Sequence, residues 1–435
     1  MSAASRVIRG RLLSFSDSPR LAGEAAREYI EDGALKIVDG RIAAKGAASD
    51  ILSSAPTGST VDDFSGKLIL PGFIDAHIHY PQTRVIGSFG AQLLDWLHKY
   101  TFVEEQKFSD PVHAAEISEF FLDELFRNGT TTAVVYCTVA PESAEAFFTE
   151  SEKRGARMIA GKVLMDRDAP LALTDSPQRG YDESKVLIAR WHGRGRLGYA
   201  ITPRFAITST DAQLAAAGAL AKEFPDCWVQ THLSENHAEI ELTKQLFPAA
   251  ESYLDVYDRF GLVGAKSIFG HCIHLEASEV ATLAAKRGVA AFCPTSNLFL
   301  GSGLFDLARL DANDVRVAIA TDVGGGTSYS LLQTASEGYK VLQMRDQSWP
   351  GAQAFYQLTL GNARALGLED KIGRLEVGYE ADLVVLDAHA TPAMAHRMKS
   401  VEGHLDEELF VLMMMGDDRA VAETYVNGER AKPKR

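Results

Sequence analysis

Through the middle of the chain, short apolar runs rich in β-branched and aromatic residues alternate with longer stretches whose apolar positions recur at helical spacing. The apolar runs are ILPGFIDAHIH, TTTAVVYC, RMIAGKVLM, LGYAITPRF, CWVQTHLSE, KSIFGHCIHL, VAAFCPTSN and RVAIATDVG. Helical stretches such as Pro111 to Asn128 and Asp211 to Phe224 lie between some of them. Eight strand-then-helix units predict an α/β fold, a parallel (β/α)8 barrel of the TIM type with its helices outside, rather than an open sheet.

The flanks follow a different pattern. ALKIVDGRIAAKG and DFSGKLIL before the barrel, and ADLVVLDA and AETYVNGER after it, alternate like antiparallel strands joined by glycine turns. They predict one small β-sandwich built from both termini. The expected division is residues 1–66 and 375–435 for the sandwich and 67–374 for the barrel.

At 435 residues the chain is long enough for such a large domain plus an accessory one. Hydrophobic content of 46% with 23% charged residues is ordinary for a globular protein, and no apolar segment is long enough to cross a bilayer. The start, MSAASRVIRGRLLSFSDSPRL, lacks a signal-peptide core, so a cytoplasmic enzyme is expected. A net charge of −14 disfavours nucleic acid as a partner. The four cysteines, Cys137, Cys227, Cys272 and Cys293, show no CxxC spacing, which argues for buried reduced thiols over disulfides or a cysteine zinc site.

Chemistry concentrates at the C-terminal ends of the predicted strands, where barrels of this type carry their active sites. Strand one ends in His77 and His79, which at positions i and i+2 share a face. Strand five ends in THLSEN with His232 and Glu235, strand six in FGHCIH with His271, and strand eight in ATDVGGG with Asp322. Each has a plainer use: Asp322 in a turn, His271 in packing, Glu235 at a helix start. Together, His77, His79, His232 and Asp322 form a nitrogen and oxygen donor set suited to Zn²⁺ or Fe²⁺ with a position left for water. No HxE plus PCxxC pair is present, which excludes the cytidine-deaminase type of zinc site. Strand four ends in Arg204 and Phe205 rather than in a lysine that could bridge two metals, so a single ion is expected.

PGFIDAHIH, THLSEN, FGHCIH, ATDVGGG and the flank GRLEVGYEADLVVLD together resemble the amidohydrolase superfamily over most of the chain. Within it, HIHYPQTRVIGSFGAQLLDWLHKYTFVEEQKF and ITPRFAITST closely resemble the guanine deaminases. The resemblance implies hydrolysis of guanine to xanthine and ammonia by a metal-activated water, in purine catabolism or salvage. It implies one zinc per chain, with iron as the alternative, held by His77, His79, His232 and Asp322. Glu235, His271 and Asp322 would be catalytic, and Gln82, Arg204, Phe205, His232 and Asp322 would contact the base. A homodimer is also implied, while the composition and charge argue against a membrane or nucleic-acid partner. Leu94, Trp96 and Leu97 stand at helical spacing suited to packing, while the resemblance makes Leu93 to Phe102 a wall near the purine.

The alternatives are a related deaminase or dechlorinase acting on a triazine, a pterin or an adenosine derivative, and a non-catalytic barrel that serves in assembly. Arg204 argues against an adenine base, because its donors suit a carbonyl at C6. The complete ligand set argues against the assembly protein.

Overall fold

The computed structural model describes residues 5–90 and 92–434. Eight parallel strands follow one another around a sheet in chain order: Phe73–His79, Thr130–Tyr136, Arg157–Gly161, Gly198–Pro203, Trp228–Leu233, Ser267–His271, Val289–Phe292 and Arg316–Ile319, with Val163–Leu164 pairing beside the fourth. Each of the expected runs holds one of them. The first and eighth meet beyond their ladder, where Asp322 N–H donates to His77 O at 3.0 Å and His79 N–H to Val323 O at 2.8 Å.

Two apolar layers hold the barrel. Inside it, Ile74, Ile159, Ala200, Ile268, Val289 and Ala318 pack with Ala363, Leu366 and Ile372, so the helix Asn362–Leu366 plugs the end opposite the site. Outside, the strands pack against helices such as Pro111–Arg127, which starts at an Asp110 cap and buries Ile117, Phe121 and Leu125. Each such fully buried side chain contributes about 1.5–3 kcal/mol. The expected helices end one residue early, because Asn128 and Phe224 serve as C-caps.

Asn362 ties the seam. Its buried amide donates to Ile74 O at 2.6 Å and Ile319 O at 2.8 Å, and its oxygen accepts from Ile319 N–H at 2.9 Å. Asn362→Ala leaves these groups without partners, so a loss of about 3 kcal/mol is expected. Denaturant unfolding measures it, and a change below about 0.5 kcal/mol would mean the seam does not depend on this side chain.

The strands of the two flanks share one seven-stranded sheet, in the order Glu429–Arg430, Val421–Val426, Leu383–Leu386, Thr60–Pro71, Ser5–Phe15, Arg27–Val38, Arg41–Ala47. It is mixed rather than antiparallel throughout, since Thr60–Pro71 runs parallel to Ser5–Phe15. Hydrogen bonds from Ile42 to Tyr379 and from Gly378 to Ile42 curl its edge over a cluster of Ile8, Leu35, Ile42, Ile69 and Leu383. The small β domain expected from both termini is thus present as one mixed sheet packed on this cluster.

The run ILPGFIDAHIH divides between the sheets. Ile69, Leu70 and Pro71 end a strand of the flanking sheet, and the first barrel strand starts at Phe73. Both strands are buried here, so hydropathy shows no break. The switch falls at Gly72, where a Cβ would come within 2.1 Å of Thr131 Oγ1. Among the described residues, no helix is long and apolar enough to cross a membrane.

Candidate active site

Strict alternation along the first barrel strand would set Ile74 and Ala76 opposite His77 and His79. The ladder to the second strand slips between Asp75 and Ile78, and this bulge reverses the parity. Ile74 and Ala76 therefore fill the barrel interior, while His77 and His79 also turn inward at its mouth. The His77 ring fits because Gly270 lies beside it; a Cβ there would stand 2.7 Å from the imidazole Cε1.

His232, one residue before the end of the fifth strand, faces this pair, its Nε2 3.3 Å from His79 Nε2. Its other nitrogen, Nδ1, lies 2.7 Å from Arg204 O. A carbonyl only accepts, so the proton sits on Nδ1 and the Nε2 lone pair points at His79. Asp322 Oδ1 lies 3.3 Å from His77 Nε2 and 3.4 Å from His79 Nε2. Asp322 Oδ2 stands 3.7 Å from His271 Nε2, which is itself 3.3 Å from Glu235 Oε2. His271 and Asp322 both hold positive φ, of 71° and 52°, a strained backbone that the surrounding packing must impose.

This cluster fits a divalent cation. Among the described residues, His77 Nδ1 and Nε2 and His79 Nδ1 are buried without a hydrogen-bond partner, and imidazole nitrogens face one another and a carboxylate at 3.3–3.4 Å. Such an arrangement is costly unless positive charge sits among the donors. Burial pushes His79 down to about 3 and His232 well below the usual imidazole range, so both imidazoles are neutral at pH 7, the form that can bind a metal. Burial works to raise the Asp322 carboxyl, but its bonds to His77 and His79 outweigh this and hold it well below the usual range.

Glu235 shifts in the opposite direction from Asp322. Burial and then the nearby Asp322 push its carboxyl up to about 8, so the protein atoms alone favour the protonated acid at neutral pH. Ser302 Oγ donates to its Oε1 at 3.1 Å.

Gln82, Arg204 and Phe205 line the same cleft as His79, His232, Glu235, His271 and Asp322, and His77 lies just beneath them. Leu93, Trp96 and Leu97 form an apolar wall, so this segment both packs and faces the cleft. Tyr257 steadies the floor: its hydroxyl donates to His232 O at 2.8 Å and accepts from Ala206 N–H at 2.9 Å. Sequence reasoning passed over Tyr257, Ser302, Asn297, which bonds His271 Nδ1 at 2.9 Å, and Glu105, which binds Arg204. Nothing in their local pattern separates them from ordinary packing or surface positions.

Residues 68–431 match the amidohydrolase family. Guanine deaminase of Escherichia coli (strain K12) is 47% identical over 426 residues, 97% of each chain. The solved E. coli guanine deaminase superposes with a TM-score of 0.95 at 46% identity, over 98% of this chain and 99% of that one. A guanine deaminase from C. acetobutylicum, solved with guanine in its active site, gives a TM-score of 0.87 at 27% identity over 98% and 99% of the two chains. With its barrel, its strand-end cluster and these likenesses, the chain belongs to the amidohydrolase family, in its guanine deaminase branch.

Proposed function

We propose that the chain hydrolyses guanine to xanthine and ammonia, a step of purine breakdown or salvage, at one zinc ion held by His77, His79, His232 and Asp322. The observation that carries this reading is one cleft that joins an imidazole and carboxylate cluster to a hydrogen-bonding edge of Gln82 and Arg204. A bound divalent cation supplies Lewis acidity and makes water acidic near neutral pH. Zinc suits the nitrogen and oxygen donors. Free buried cysteines are consistent with the cytoplasm, and the homodimer rests on the family resemblance.

The residues divide the work by their environments. Asp322, held ionised by the imidazoles, accepts the proton of the water that attacks C2. Glu235, raised toward the acid form, delivers its proton to ring N3, then takes the proton of the new C2 hydroxyl and passes it to the departing amino group, and the water proton held by Asp322 restores it for the next turnover. His271, between these two carboxyls, steadies the developing oxyanion. Gln82 and Arg204 bind the base edge, and the Phe205 ring, centred 6.3 Å from that of His232, walls its face. Ammonia release from guanine, 8-oxoguanine, adenine, cytosine, ammeline and a pterin tests the assignment. Guanine is expected to dominate; a pterin or ammeline turned over faster than guanine would replace the reading.

Arg204→Leu is expected to lower kcat/KM for guanine by roughly ten- to two-hundredfold, because O6 loses its donor. Turnover of 2-aminopurine, which has no O6, should change far less. Metal content and thermal melting are measured in parallel, since the variant also leaves Glu105 buried without its guanidinium. Equal losses for both bases at full metal content would mean that Arg204 supports the mouth of the barrel instead of reading the base.

A further inference from the structure

Glu105 lies in the helical turn Phe102–Glu105 and is 1% exposed. Its two oxygens stand 2.9 and 2.8 Å from Arg204 Nη1, and Oε1 also accepts from Gln82 Nε2 at 3.1 Å. On the far side of Gln82, Oε1 accepts from Gly324 N–H at 3.1 Å. These contacts fix the direction of the Gln82 amide. A backbone N–H only donates, so the atom facing Gly324 is oxygen. A carboxylate only accepts, so the atom facing Glu105 is the NH₂ group.

The consequence is chemical. With its oxygen turned to Gly324 and one N–H to Glu105, Gln82 keeps its second N–H for a ligand. Arg204 adds donors only, and among the described residues its Nε and Nη2 meet no protein acceptor. Without Glu105, only the Gly324 N–H would hold the Gln82 amide, its NH₂ group would lose the acceptor that aims it, and the guanidinium would lose its anchor. A second contact braces Arg204 from the same segment, the Phe102 ring 5.5 Å below its guanidinium carbon.

We infer that Glu105 is a positioning residue for base selectivity: by accepting from both Arg204 and Gln82 it holds this edge as a row of donors that selects 6-oxopurines. It touches neither the reacting atoms nor the ligand cluster. The inference rests on the guanine reading of the cleft, which it deepens by assigning the origin of the oxo preference.

The test uses hypoxanthine and purine, bases that carry no amino group at C2 and differ at C6. Their dissociation constants are measured by calorimetry with the purified metal-loaded protein, its Glu105→Gln form and its Glu105→Asp form. The native protein is expected to prefer hypoxanthine. Glu105→Gln keeps the size but offers an NH₂ where an acceptor is required, so the preference should fall about tenfold or more at unchanged metal content. Glu105→Asp keeps an acceptor-only group and should retain more of it, which also guards against a Gln variant that fails to fold. A preference left intact in Glu105→Gln, or equal weakening of both bases, would overturn the proposal. Ammonia release from guanine by the native protein is scored separately, so its absence would count against the deaminase reading and not against the role of Glu105.

Discussion

His232→Ala is expected to abolish guanine turnover and to strip the protein of metal. Of the proposed metal ligands, His232 has its tautomer fixed by a hydrogen bond among the described residues, since Nδ1 donates to Arg204 O at 2.7 Å and leaves Nε2 to bind. Its removal takes away a ligand and leaves His79 Nε2 facing a void. Three remaining donors hold a divalent ion far less tightly than four, so the loss in activity should reach orders of magnitude. The fold should survive. Arg204 O keeps its bonds from the backbone N–H of residue 232 and from Thr231 Oγ1, both 3.2 Å in the native chain, and Tyr257 still bonds the carbonyl of residue 232. Metal content after dialysis against a mild chelator, together with ammonia release, measures the effect. Near-normal turnover with one equivalent of metal retained would remove His232 from the ligand set.

The position of the cluster could be read from sequence because parallel barrel strands are buried runs that end at one face. Once eight of them were counted, the histidines and acids at their ends had to meet. What strand periodicity could not show is the bulge at Asp75 to Ile78, which puts Ala76 and His77 on the same side of the sheet. Hydropathy was equally silent on Gly72, because the strands before and after it are buried alike. Glu105 was hidden for a third reason. It stands next to Glu104, which binds Lys107, and only tertiary packing distinguishes an acid that faces Arg204 from one that pairs along its own helix.

The same limit applied to the protonation of Glu235. A carboxyl beside a cation site should ionise readily, which leaves a proton donor at neutral pH without explanation. The structure supplies the opposing effect: full burial and the charge of Asp322 push this acid up to about 8.

Glu235→Gln follows from that. Glutamine keeps the shape and an Oε1 able to accept from Ser302 Oγ, as glutamate does at 3.1 Å, so folding and metal content should be preserved. It cannot pass a proton to N3 or to the departing amine. A loss of about a hundredfold or more in kcat is expected, with guanine still bound. The sign of the pH dependence is also set. The reaction begins from protonated Glu235, so kcat/KM should fall as pH rises through its pKa, giving an alkaline limb at about 8 or below. The residual activity of Glu235→Gln should lack that limb, because glutamine does not titrate. Parallel profiles of kcat/KM from pH 6 to 10 for the two proteins decide the matter. An unchanged alkaline limb in the variant would assign the titration to another group, and metal lost in step with activity would make Glu235 a ligand rather than the proton donor.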